Sequence, residues 1–71
     1  MIEVVISSNR TNETVVTSPA RFREVCYIKS QERLPFQHYL IHPLQLLGEE
    51  MMREYPFLII EIRSKNVQNS E

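Results

Sequence analysis

Seventy-one residues with eight basic and nine acidic side chains carry a formal charge of −1, so no global field draws this chain to nucleic acid or to an anionic membrane. A chain this short buries only about 60% of the surface that its unfolded form exposes, which leaves a marginal core. Its single cysteine excludes an internal disulfide, and Cys26, His38 and His42 fall short of a structural zinc quartet unless a carboxylate joins them.

A second copy of the chain is then a natural way to stabilise so small a core. No apolar run approaches the length of a membrane helix. The N-terminal stretch MIEVVISS lacks the basic start and long apolar region of a signal peptide, and the expectation is a cytoplasmic protein with a reduced thiol. Asn9-Arg10-Thr11 and Asn12-Glu13-Thr14 match the glycosylation pattern but read as loop.

From Ile2 to Ser7 the chain alternates, with Ile2, Val4 and Ile6 on one side and Glu3, Val5 and Ser7 on the other, which is a strand pattern. SNRTNE follows as a loop, in which Asn9 and Asn12 tolerate a left-handed backbone. TVVT, Thr14 to Thr17, is β-branched throughout and predicts a short strand that completes a hairpin.

Ser18-Pro19 has the chemistry of a helix start, a capping hydroxyl followed by a first-turn proline. The helical stripe that would follow is poor, because Lys29 joins Phe22, Val25 and Cys26 while Ile28 points elsewhere. Read as a strand, EVCYIK sets Val25 and Tyr27 against Cys26 and Ile28. The reading favoured here is a strand from Glu24 to Lys29 after one helical turn. SQERLP is a polar connector, and FQHYLI, Phe36 to Ile41, predicts a further strand.

The clearest helix runs from Pro43 to Tyr55, with proline at its first position and Pro56 ending it. At about 100° per residue, Leu44, Leu47, Met51, Met52 and Tyr55 share one arc. Gly48 projects into that arc and Leu46 away from it. FLIIEIR, Phe57 to Arg63, is apolar on both faces at its start and predicts a central strand. The last residues, 64–71, read as a frayed polar tail.

An interior helical glycine costs roughly 1 kcal/mol relative to alanine. Gly48 therefore marks a close approach, either of the helix to its own sheet, with Phe36 or Phe57 filling the notch, or of a second copy. Leu46 on the polar side slightly favours a second contact surface.

Catalytic patterns are weak. Cys26 with His38 would need a thiol of lowered pKa, and a small core cysteine is the simpler reading. His38 and His42 would share a face on a helix; on a strand they would also share one but stand about 13 Å apart at about 3.3 Å per residue, and His42 reads instead as lying at the helix start. Glu49, Glu50 and Glu54 lie with Arg53 on the outer helix face and read as solvated charge.

Arg21, Arg23, Lys29 and Arg33 concentrate positive charge near Tyr27 and Tyr39, a combination that can bind single-stranded nucleic acid by stacking on a sheet. Tyr and Arg serve protein interfaces equally well.

The sequence thus predicts one α+β domain, residues 1–63, with a mostly antiparallel sheet of four or five strands and one helix packed on one face. The leading functional expectation is a small non-enzymatic protein-interaction or regulatory module, without metal or cofactor, whose partner is a second copy. Its candidate interface residues are Tyr27, Tyr39, Leu46 and Gly48. The alternative is single-stranded RNA binding through Arg21, Arg23, Tyr27, Lys29, Arg33 and Tyr39.

Overall fold

The computed structural model describes residues 1–31 and 33–64. Within them the chain forms β1 (Ile2–Ser8), β2 (Thr14–Thr17), α1 (Pro19–Lys29), α2 (Phe36–Ile41), α3 (Leu44–Glu54) and β3 (Leu58–Ser64). The strands make one antiparallel sheet in the order β2-β1-β3. The class is α+β as expected, but the described residues hold three strands and three helices, because the two middle segments read as strands are helices. Of the tail expected over residues 64–71, Ser64 closes β3 and the rest lies outside the described residues.

The hairpin follows from alternation and from Asn12. Val4 lies opposite Thr17 on β2 and opposite Ile62 on β3, and Ile6 opposite Val15 and Ile60, so these pairs share the face that meets the helices. Asn12 takes a φ of 60°, the left-handed conformation that its short polar side chain tolerates. Its amide donates to the Ser8 carbonyl at 3.0 Å, and the Ser8 amide donates to the Glu13 carbonyl at 3.0 Å, closing the turn.

At α1 local capping chemistry overrides periodicity. The Ser18 hydroxyl accepts the Arg21 amide at 3.1 Å, and Pro19 occupies the first turn, where its missing donor costs nothing. Phe22 and Cys26, four residues apart, are buried on one face, while Ile28 is 61% exposed. That exposed isoleucine is what spoils the helical stripe. At the helix end Ser30 turns its amide back to the Cys26 carbonyl, and Gln31 follows at a φ of 60°. A left-handed glutamine costs about 1–2 kcal/mol that glycine avoids. Gln31→Gly is expected to raise stability by about 0.5–1 kcal/mol, read as a shifted urea midpoint at constant slope.

FQHYLI becomes helix α2 because its neighbours hold it there. The Tyr27 ring lies 5.1 Å from Phe36 and 5.8 Å from Tyr39, tilted or edge-on, so α1 and α2 meet through aromatic pairs. The Arg23 guanidinium donates to the Tyr39 carbonyl at 2.8 Å and also to the His42 carbonyl, satisfying the exposed carbonyls at the end of α2.

Helix α3 lies one residue inside each expected end. Leu47, Gly48 and Met51 are buried, with Leu44, Met52 and Tyr55 partly so, as the predicted arc requires. Val4, Phe22 and Leu47 form the fully buried centre of the core. A Cβ on Gly48 would stand 3.4 Å from Ile60 Cγ2 and 3.8 Å from Ile62 Cδ1. The glycine therefore lets α3 lie close on its own β3, and isoleucines, not Phe36 or Phe57, fill the notch.

Strand β1, not β3, is central. The double-sided apolar start of β3 reflects Leu58 and Ile60 facing the helices while Ile59 faces out at 52% exposure. The outer side of β3 is guarded by α3, since the Ile60 amide donates to Met52 Sδ at 3.4 Å.

Candidate interaction surface

Among the described residues, the sheet has helices on one face only, and its two edges differ. The register places Glu3, Val5, Ser7, Thr14, Val16, Ile59, Glu61 and Arg63 together on the face away from the helices. Val5, at the middle of the central strand, is nevertheless buried, hemmed in by Val16 and Glu61 on either side. The Arg63 guanidinium donates to Glu3 Oε2 at 2.8 Å across this face. Such solvent-exposed pairs contribute little to stability, so this one orients the face more than it holds it.

Edge β2 carries no charge, no proline and no bulge, the usual devices that keep edge strands from pairing. Val15 and Val16 are 56% and 55% exposed, one on each face of the strand. Each valine exposes apolar area that a paired strand would cover at roughly 25 cal/mol per Å². TVVT is legible in the sequence as a strand but not as a surface. Its signal was the absence of polar alternation: β-branched residues at every position mean that neither face is committed to the core.

The residues singled out from the sequence disperse. Leu46 is exposed on α3, as expected. Gly48 is buried against β3 and Tyr39 is buried in the core, so neither presents a surface for a partner; Tyr27 is half-buried within the α1–α2 contact.

The basic and aromatic residues do not share a sheet face, because all but Arg33 lie on α1 or α2. Arg21 pairs with Glu24 at 2.8 Å, and Arg23 is taken up at the end of α2. Arg33 donates to the Ser30 carbonyl at 3.0 Å and stands 4.0 Å from Glu54, and the Lys29 ammonium lies 5.9 Å over Tyr55. Each cation has its own local role, and the stacking platform drawn from the sequence is not formed.

The two histidines come together at the end of α2, His38 within the helix and His42 as its extended C-terminal cap. Their rings stack with centroids 4.7 Å apart, and His42 Nε2 stands 3.6 Å from Glu50. Among the described residues, no group of three or more His, Cys or Glu side chains is placed to hold a metal ion.

Cys26 is buried, and its thiol is pushed up to about 12, first by burial and then by the Glu50 carboxylate, with Arg23 acting the other way. This is the opposite of what a nucleophilic cysteine requires. The folded protein is expected to react with a disulfide reagent at pH 8 more than about a hundredfold slower than in denaturant. Because the folded thiol titrates above the unfolded one, its contribution is complete below about pH 9. It fades as pH rises toward about 12.

No described helix is long and apolar enough to cross a membrane. The chain matches no family model, no curated protein and no solved structure.

Proposed function

We propose that this chain is a small non-enzymatic interaction module that works through protein contacts and pairs with a second copy through β2. The observation that supports it is the bare, uncharged β2 edge with a valine exposed on each face. Added antiparallel to its own two-fold mate, β2 sets one valine opposite its own counterpart and the other opposite a threonine, β-branched pairs that stabilise antiparallel ladders by about 0.2–1 kcal/mol each. The two three-stranded sheets become one of six strands, and the unpaired amides of the edge find partners. On the open face, Val16 and Ile59 of both copies extend the same sheet.

Four residues make a small interface, so the association is weak and depends on concentration. It suits a module that forms and dissolves contacts more than a permanent assembly.

Amide hydrogen exchange tests the pairing at the residues concerned. Amides of Thr14–Thr17 are expected to gain protection as protein concentration rises, while those of β3 stay constant. Protection that is the same at every concentration would count against the proposal.

A further inference from the structure

Independently of β2, the helix side of the sheet holds a cavity of about 260 Å³ between α1, the end of α3 and the start of β3. Its walls are almost wholly apolar: Phe22 and Ile60 from the core, Val25 from α1, and Tyr55, Phe57 and Leu58 from the α3–β3 corner. An apolar cavity of about 150 Å³ is already enough to hold a benzene-sized molecule.

Among the described residues, Lys29 is the sole charged one that lines the cavity, and its ammonium lies 5.9 Å over the Tyr55 ring at the wall. A second cation, the Arg10 guanidinium, sits 4.1 Å over the Phe57 ring. No carboxylate lines the cavity among the described residues. The chemistry is therefore one-sided, with an apolar interior for a chain or ring and positive charge on the aromatic rim for an anionic end. An apolar body enters by the hydrophobic effect, and a rim cation adds a sign preference at the mouth.

We infer that this cavity binds a small free amphipathic carboxylate, such as a medium-chain fatty acid, with its chain inside and its carboxylate toward Lys29 and Arg10. Lys29 lies over Tyr55 and Arg10 over Phe57, two rings of the wall, so the Tyr55–Phe57 side of the cavity is biased toward an anionic end. An exposed ion pair supports only a modest preference, so the effect is read by sign and not by size.

The test is a titration of the isotope-labelled protein, followed by NMR, with octanoate, octanol and octylammonium below their micelle-forming concentrations. Saturable shifts at Val25, Leu58 and Ile60 are expected, with octanoate about threefold tighter than octanol and about tenfold tighter than octylammonium. Lys29→Glu, at an exposed position that leaves the core untouched, is expected to reverse the order of the two ions. Val25→Phe, which fills the cavity, is expected to weaken all three by at least tenfold. Equal binding of the three probes, or a preference unchanged in Lys29→Glu, would overturn the inference. So would the absence of saturable shifts with octanoate. None of these outcomes depends on pairing through β2.

Discussion

Replacing Phe22 by alanine is expected to lower the urea midpoint sharply at 25 °C and, at the low end of the stability range, to abolish the cooperative transition. Phe22 is fully buried where α1 meets the sheet and α3, in one cluster with Val4, Leu47 and Ile60. Removing a buried phenylalanine side chain costs about 3–5 kcal/mol, part from lost transfer and part from the cavity left behind. A domain of 71 residues has roughly 4–10 kcal/mol of stability in all. The loss thus takes between a third and all of what holds the fold. Phe22→Leu keeps most of the volume and is expected to cost less than half as much. Urea unfolding followed by circular dichroism checks both. A Phe22→Ala chain that unfolds with an unshifted midpoint would mean that α1 does not pack as described.

The second large effect separates two substitutions at one position. At Gly48 a methyl group would meet Ile60 at 3.4 Å, the near limit of ordinary contact, whereas a leucine would have to displace β3. Alanine removes the conformational cost of a helical glycine, so Gly48→Ala is expected to be neutral or to stabilise by up to about 1 kcal/mol. Gly48→Leu overpacks the α3–β3 contact and is expected to destabilise by about 1–3 kcal/mol. Its self-association, measured under conditions where it remains folded, is expected to match the parent chain, because the glycine faces its own sheet. A Gly48→Leu chain that stays stable but no longer associates would place the interface on α3 instead of β2.

The parts of this fold that the sequence discloses are those where local and tertiary preferences agree. Helix α3 is legible because Leu44, Leu47, Met51 and Met52 recur at helical spacing between two prolines. The hairpin is legible from the alternation of β1 and from Asn12. Helix α1 is obscured because its buried pair, Phe22 and Cys26, is offset by an exposed Ile28, and α3 and α2 cover it unevenly. The capping pair Ser18-Pro19 carried the right signal there and outweighs the short alternation of EVCYIK.

FQHYLI suits a strand by composition, and only distant residues make it helical. Tyr27 packs on its rings and Arg23 caps its end, contacts made across more than eight residues of sequence. The basic cluster disperses for the same reason. With α1 a helix, Arg21 and Arg23 turn to local partners and share no sheet face. For the interaction surface, Leu46 was legible as an apolar residue off the helix stripe. The β2 edge was not, because its exposure depends on which strand becomes central, and that is decided by the long-range pairing of β1 with β3.

Absolute mass by light scattering across a wide range of protein concentration reads the proposed pairing of β2 with a second copy. The mass is expected to climb from the 8.5 kDa of one chain toward twice that value. The doubly substituted Val15→Lys, Val16→Lys chain is expected to stay at the mass of one chain with an unchanged circular dichroism spectrum, since both side chains are exposed and the added charges repel across the two-fold. A parent chain that remains monomeric at every concentration, or a substituted chain that associates as the parent does, would contradict it.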